Sequence, residues 1–197
     1  MTSRNAIRAA VRRQRRALSA HERRRRSEAL VRQLGRSPLF LRSRHIAFYL
    51  PNDGEVDLTA LVRRACQAGK HCYLPVLGPV HHNRLWFVPY RPGEPLARNR
   101  FGIPEPLGGW PAARRPWTLD LILTPLVAFD LRGNRLGMGG GFYDRTLAYL
   151  ERRTCWEKPH LLGVAYEFQR QEALPTAPWD VPLHGVATDR TLYRLAQ

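Results

Sequence analysis

The 197-residue chain holds only three cysteines, Cys66, Cys72 and Cys155, with no Cys-x-x-Cys and no paired-histidine spacing. A disulfide framework and a zinc site are therefore not expected, and reduced thiols in a cytoplasmic protein are the simplest reading. No run approaches eighteen apolar residues, so no membrane span is expected. The first twenty residues lack a signal-peptide hydrophobic core, and their Arg-rich start runs unbroken into structured pattern, so neither a secretory nor a transit segment is expected. Internal repeats and low-complexity tracts are missing, and no Ser, Cys or His constellation of a nucleophilic catalyst stands out. The seven histidines are scattered singly apart from His81-His82, and none is assigned a role. Acids are scarce too, with 16 Asp and Glu against 32 Lys and Arg, which leaves a net charge of +16. Fourteen arginines against Glu22 and Glu28 fall in residues 1–44, so twelve of the sixteen excess charges lie in the first quarter.

What is present reads as one α/β domain with a full core. Ile7, Val11 and Leu18 mark a first helix over residues 5–17. Ser19-Ala20-His21-Glu22 reads as a capping box opening a second helix that runs to Leu34 and stops at Gly35. Residues 45–50 read as a buried strand closed by Pro51. Asp57 caps a helix with Leu58, Leu61, Val62, Ala65 and Cys66 on one face and Gly69 at its end, and 71–76 is the next strand. That order implies a parallel βαβ unit. Further strands are expected at 84–90, 119–123 and 160–165, with one or two short ones in 186–195. Between them, 91–116 reads as a long Pro- and Gly-rich loop of the kind that covers a site. The expected architecture is a mostly parallel, open, Rossmann-like sheet with helices on both faces, preceded by two basic helices. Tyr-Leu-Pro51, Leu-Pro75 and Thr-Pro125 mark three strand ends, beyond which ligands bind in such sheets.

The stretch Arg135-Leu136-Gly137-Met138-Gly139-Gly140-Gly141-Phe142-Tyr143-Asp144-Arg145 sits between an apolar run and a helical pattern ending near Arg153. Glycine lets the backbone turn and lets an oxyanion approach N–H groups without meeting a Cβ, so the stretch reads as an anion cradle. It matches neither a Walker A loop nor a dinucleotide-binding glycine pattern, and a tight strand-to-helix turn is the blander alternative. Arg135 and Arg145 bracket it. Asp144 beside a polyphosphate needs a divalent cation between them, which makes it a candidate Mg²⁺ ligand; as a first-turn acid it also favours the helix start. Asp180, in Pro178-Trp179-Asp180-Val181-Pro182, shares that metal or begins a turn. Glu55 is suited to the amino edge of a pterin, or is a solvated turn acid. Arg4 and Arg8 share a helical face and can reach one polyphosphate. Arg12 to Arg16 and Arg23 to Arg26 read as a solvated basic face. A rival reading uses the whole helix pair to hold nucleic acid, although no nucleic-acid-binding motif or stacking surface is present.

Four motifs in order, Gly54-Glu55-Val56-Asp57, the Leu123-Thr124-Pro125-Leu126-Val127-Ala128-Phe129-Asp130 run, the glycine loop through Asp144, and Leu174-Pro175 with Trp179-Asp180-Val181-Pro182, resemble the 5-formyltetrahydrofolate cyclo-ligase family. Members are also called 5,10-methenyltetrahydrofolate synthetases, and the resemblance, of bacterial type, covers nearly the whole chain. It implies an ATP- and Mg²⁺-dependent closure of 5-formyltetrahydrofolate to 5,10-methenyltetrahydrofolate with release of ADP and phosphate, by phosphorylation of the formyl oxygen and attack of N10. By matching position, Arg4, Arg8, Arg135, Leu136, Gly137, Met138, Gly139, Gly140, Gly141, Phe142 and Tyr143 would hold ATP. Leu50, Glu55, Phe101 and Gly139 to Tyr143 would contact the folate, and Asp144 and Asp180 the magnesium. Arg135, Tyr143 and Arg145 are the expected catalytic residues. Departures from the family pattern are Met138 and Gly140, where some members carry a basic residue, Arg4 in place of a common lysine, and Phe142 in place of a frequent tyrosine. A cytoplasmic monomer with no membrane or nucleic-acid partner is expected.

Overall fold

The computed structural model describes residues 3–78, 83–107, 110–152 and 158–195. His81, His82, Cys155 and the expected helix end at Arg153 lie outside them. Helix α1 (Arg4–Ala17) starts where the Ser3 hydroxyl accepts the Ala6 N–H, and it buries Ile7, Val11 and, unexpectedly, Arg15. Helix α2 (Ala20–Leu34) opens with the capping box foreseen: Ser19 Oγ accepts the Glu22 N–H at 3.1 Å and the Ser19 N–H reaches Glu22 Oε2 at 2.9 Å. A short α3 (Pro38–Arg42) follows that the sequence reading passed over, although Ser37 caps it and Pro38 pre-sets its first φ.

Strand β1 (His45–Ala47) is shorter than the apolar run, which bends out of the ladder toward Pro51. Helix α4 (Thr59–Gln67) begins two residues beyond Asp57, whose carboxylate takes the Thr59 N–H at 2.8 Å from just outside the first turn. Strand β2 (His71–Leu77) pairs in parallel with β1, and β3 (Leu85–Pro89) turns back antiparallel to it. Pro75 does not end β2. β1 has its last pair opposite Tyr73, so no N–H is needed from residue 75 on that side. The expected loop over 91–116 carries its own hairpin, β4 (Leu96–Arg98) and β5 (Pro104–Pro106), pinned by the Glu105 carboxylate, which accepts the Leu77 N–H and the Asn99 amide. Prolines at both ends of β5 had concealed it from pattern reading.

Next come β6 (Leu121–Pro125), the two-residue pair β7 (Ala128–Phe129) and β8 (Arg135–Leu136), and α5 (Phe142–Leu147), which tightens into a 3₁₀ turn over Ala148–Arg152. β9 (His160–Val164), β10 (Gly185–Ala187) and the antiparallel β11 (Leu192–Arg194) complete a seven-stranded sheet in the order β11-β10-β9-β6-β1-β2-β3. The sheet is parallel except at its two edges, as the strand–helix alternation implies. Alternate residues of β6 serve opposite faces. Leu121 and Leu123 join Leu30, Leu34, Leu61 and Val62 of α2 and α4, while Ile122 joins Leu147, Val181 and Leu183 on the other side. Each such leucine contributes roughly 1.5–3 kcal/mol of apolar burial. A third cluster lays Ile7 and Val11 of α1 on Val127, Ala128 and Leu136, which fixes α1 against the hairpin before the glycine loop.

Candidate active site

From β1 the chain passes to β2 on one side, whereas β6 lies on the other, so connections diverge between the C-terminal ends of β1 and β6. Open α/β sheets bind ligands at such a point. A cleft of about 520 Å³ opens there. Its floor is Tyr49 and Leu50 beyond β1 with Pro125 and Leu126 at the end of β6; α1 and the glycine loop form one wall, and Phe101 at the tip of the β4–β5 hairpin overhangs it. Phe101 meets Phe142 edge-on, with centroids 5.7 Å apart.

The approach to the loop is set by Asp130, which is fully buried and accepts four hydrogen bonds, from the N–H groups of Arg132, Asn134 and Leu174 and from the Asn134 amide. Gly139 (φ +104°) and Gly141 (φ +63°) then occupy left-handed conformations. The carbonyls of Gly137 and Gly140 are drawn away by Arg8 and Arg145. None of the main-chain N–H groups from Gly137 to Tyr143 donates to an acceptor among the described residues. They border the cleft.

The charges are arranged in pairs. Arg4 reaches Asp180, and Arg135, almost wholly buried, donates to Asp144 and to the Val181 carbonyl, thereby tying the segment around 180 to the start of α5. Asp180 also accepts the Ala177 N–H at 2.8 Å, so it closes the turn that precedes it rather than beginning one before Pro182. The Glu55 side chain is 11% exposed; burial pushes its carboxyl up to about 7, against the pull of Arg15 and of the Asn52 N–H it accepts. Burial, with Glu55 nearby, also raises the Tyr143 hydroxyl, which stays protonated at neutral pH.

Residues 1–189 match the sequence model of the 5-formyltetrahydrofolate cyclo-ligase family. The chain is 38% identical over 178 residues to the 5-formyltetrahydrofolate cyclo-ligase of Escherichia coli K12, spanning 90% of this chain and 96% of that one. The chain belongs to the 5-formyltetrahydrofolate cyclo-ligase family. It is 44% identical over 144 residues to the Haemophilus influenzae cyclo-ligase, covering 73% and 75% of the two chains. Among solved structures, it is similar to the Aquifex aeolicus 5,10-methenyltetrahydrofolate synthetase, with a TM-score of 0.81 and 38% identity over 98% of this chain and 93% of that one.

Against this cyclo-ligase frame, Arg4, Arg8, Leu50, Glu55, Phe101, Arg135, Gly137 to Tyr143, Asp144 and Asp180 all border the one cleft. Two expected residues do not. Leu136 is buried beneath α1, and Arg145 braces the loop from outside, holding the carbonyls of Gly140 and Asn83 with its guanidinium 5.3 Å from the Phe142 ring centre. Arg12 to Arg16 and Arg23 to Arg26 are not uniformly a solvated face. Arg12, Arg15 and Arg16 converge on Asp53, and Arg26 pairs with Asp189, because the turn after β1 and the one after β10 bring acids under the helices. Arg13, Arg24 and Arg25 are exposed as expected. The rival nucleic-acid reading thereby loses Arg4, Arg12, Arg15, Arg16 and Arg26 to internal partners. Sequence reasoning missed Trp179 and Asn99 as lining residues; Trp179 is 67% exposed beside Asp180 in a motif already singled out, and that was the available signal.

Proposed function

We propose that the protein closes 5-formyltetrahydrofolate to 5,10-methenyltetrahydrofolate with consumption of ATP and release of ADP and phosphate. The observation that carries this reading is the row of unengaged amides at Gly137 to Tyr143, facing a cleft that also holds two Arg–Asp pairs and the nearly buried Glu55.

A formamide carbon is a poor electrophile and its oxygen a poor leaving group. Moving the γ-phosphoryl onto the formyl oxygen corrects both, after which N10 attacks, the ring closes and phosphate departs. Such a transfer needs positioning and neutralisation rather than a protein nucleophile. The loop amides receive phosphate oxygens, and Arg4, Arg8 and Arg135 supply cations around them. Arg135 and Tyr143 lie nearest the reacting groups in this scheme, the tyrosine as a hydrogen-bond donor. Glu55, when ionised, accepts the two N–H groups of the pterin edge, with Leu50 and the Phe101–Phe142 pair against its rings.

Mg²⁺ is held in nucleotide sites by one or two carboxylates plus phosphates. Asp144 and Asp180 supply two, and no group of three or more His, Cys, Asp or Glu that could hold a metal occurs among the described residues, so the donor set fits an ion carried in with the nucleotide. Asp144 and Asp180 would hold the ion, which would supply positive charge to neutralise what develops on the transferring phosphoryl group. Asp144 and Asp180 would exchange their arginines for it, which frees those guanidiniums for phosphate.

We also propose that the protein is a cytoplasmic monomer. No helix among the described residues is long and apolar enough to cross a membrane, and Cys66 and Cys72 are free thiols with Sγ atoms 3.5 Å apart, consistent with a reducing compartment. The test is direct: purified protein with Mg²⁺, ATP and 5-formyltetrahydrofolate is expected to give the methenyl absorbance with one ADP per turnover. No methenyl product at any protein concentration would overturn the assignment.

A further inference from the structure

The geometry points to Arg15 as the positioning residue of Glu55: from inside α1 its guanidinium fixes the turn after β1 and presents the Glu55 carboxylate, ionised, to the folate. The inference rests on the reading above that Glu55 receives the pterin edge, and it assigns a role to an arginine that no motif singles out.

The Arg15 side chain is wholly buried, which for an arginine requires that its donors be satisfied. Nε donates to the Asp53 carbonyl at 2.8 Å, Nη2 to Asp53 Oδ2 at 2.8 Å, and Nη1 to the Leu126 carbonyl at 3.4 Å. The same Nη1 lies 3.8 Å from Glu55 Oε1. One planar fork therefore spans the turn after β1 and the end of β6, the two lips of the cleft. The turn it holds is left-handed at Asp53 (φ +50°) and Gly54 (φ +77°). Glu55 is thus held from two sides, Oε2 by the Asn52 N–H at 3.1 Å and Oε1 by the facing guanidinium.

If Arg15 served only to anchor α1, Arg12 and Arg16 on Asp53 would suffice from the surface. What the buried residue adds is a cation beside a carboxylate in a nearly dry place. The other groups around Glu55 are Asp53 from its own turn, Tyr49 beyond β1, Tyr143 from α5, and Tyr166, whose hydroxyl donates to the Glu55 carbonyl at 3.4 Å. None of these is a cation, and Asp53 is a like charge. Beside the Asn52 N–H, Arg15 is the cation that opposes protonation of Glu55.

The experiment compares wild type, Arg15→Lys and Arg15→Met. The Glu55 carboxyl is titrated by ¹³C NMR in ligand-free protein, and kcat and KM for 5-formyltetrahydrofolate are measured from pH 6 to 9.5 at saturating Mg·ATP as ADP release. In Arg15→Met the Glu55 midpoint is expected to rise by about one pH unit or more. KM for the folate then rises about fivefold or more at pH 7 and converges with wild type at high pH, while kcat changes far less; Arg15→Lys falls between. Should Arg15→Met fail to fold, Arg15→Gln, which keeps a donor for the Asp53 carbonyl without the charge, takes its place. An unchanged Glu55 midpoint, or a KM raised equally at every pH, would reduce Arg15 to a helix anchor and overturn the inference. If wild type itself turns over no folate, the reading of the site fails separately, and the NMR titration still decides the Arg15–Glu55 link.

Discussion

Replacing Asp53 with Asn removes the charge on which Arg12, Arg15 and Arg16 converge while keeping shape and backbone, because Asn tolerates the φ of +50° there. Burial alone would raise the Asp53 carboxyl, but the hydrogen bonds from Arg12, Arg16 and Arg15 hold it down at about 2, against an ordinary 3.8. The Asp53 side chain is 11% exposed, but Arg12 and Arg16 are 34% and 59% exposed, so solvent screening takes part of this. The difference of 1.8 pH units, at 1.36 kcal/mol each, amounts to about 2 kcal/mol of folding stability. For a chain of 197 residues that corresponds to about 6 °C in Tm. Because the native carboxyl is the more acidic, this stabilisation is complete above pH 4 and disappears as pH falls from about 4 to 2. Urea unfolding of wild type and Asp53→Asn at pH 6, 4, 3 and 2.5 should therefore show a gap of about 2 kcal/mol that closes with acid. A gap independent of pH, or none at pH 6, would refute the reasoning. Since α1 also carries Arg4 and Arg8, KM for ATP should rise in the same variant.

Further outcomes follow from the site. Because the Glu55 carboxyl is raised to about 7 and only its ionised form accepts the pterin edge, KM for the folate should climb as pH drops below 7 in wild type and stay flat and high in Glu55→Gln. Gly139→Ala, forced to φ +104°, should lose about 1–3 kcal/mol of stability, whereas Gly137→Ala, with open space and no left-handed φ, should stay within about 0.5 kcal/mol by the same melts. Asp144→Asn and Asp180→Asn should each lower kcat about 100-fold or more and raise the Mg²⁺ concentration needed for half-maximal ADP release, in line with loss of an ion ligand or its support. Equal Mg²⁺ requirements in variant and wild type would remove both residues from the metal.

Helices α1, α2 and α4 and the parallel strands could be read from the chain because their signals are local: Ser19 three residues before Glu22, Gly35 and Gly69 at helix ends, and apolar runs at 72–76 and 121–123. The glycine loop, Glu55, Asp144 and Asp180 could be singled out from the chain as candidates, and the fold gathers them at one cleft. What escaped was decided by partners distant in sequence. The β4–β5 hairpin depends on Glu105 reaching Leu77, and burial of Arg15 depends on Asp53 and Leu126, 38 and 111 positions away. Arg145, expected among the catalytic residues, is instead directed to the carbonyls of Asn83 and Gly140.

The contact between Arg4 and Asp180 joins points 176 residues apart. During synthesis, which proceeds from the amino terminus, the sheet from β1 to β9 and the glycine loop are all available before residue 180 emerges. The arginine at position 4 must wait for nearly the whole polypeptide before its acidic partner exists. On the proposed reading of the cleft, nucleotide capture would then be among the last abilities a nascent copy acquires, and a ribosome stalled before that codon would display a largely formed sheet without the Arg4–Asp180 pair.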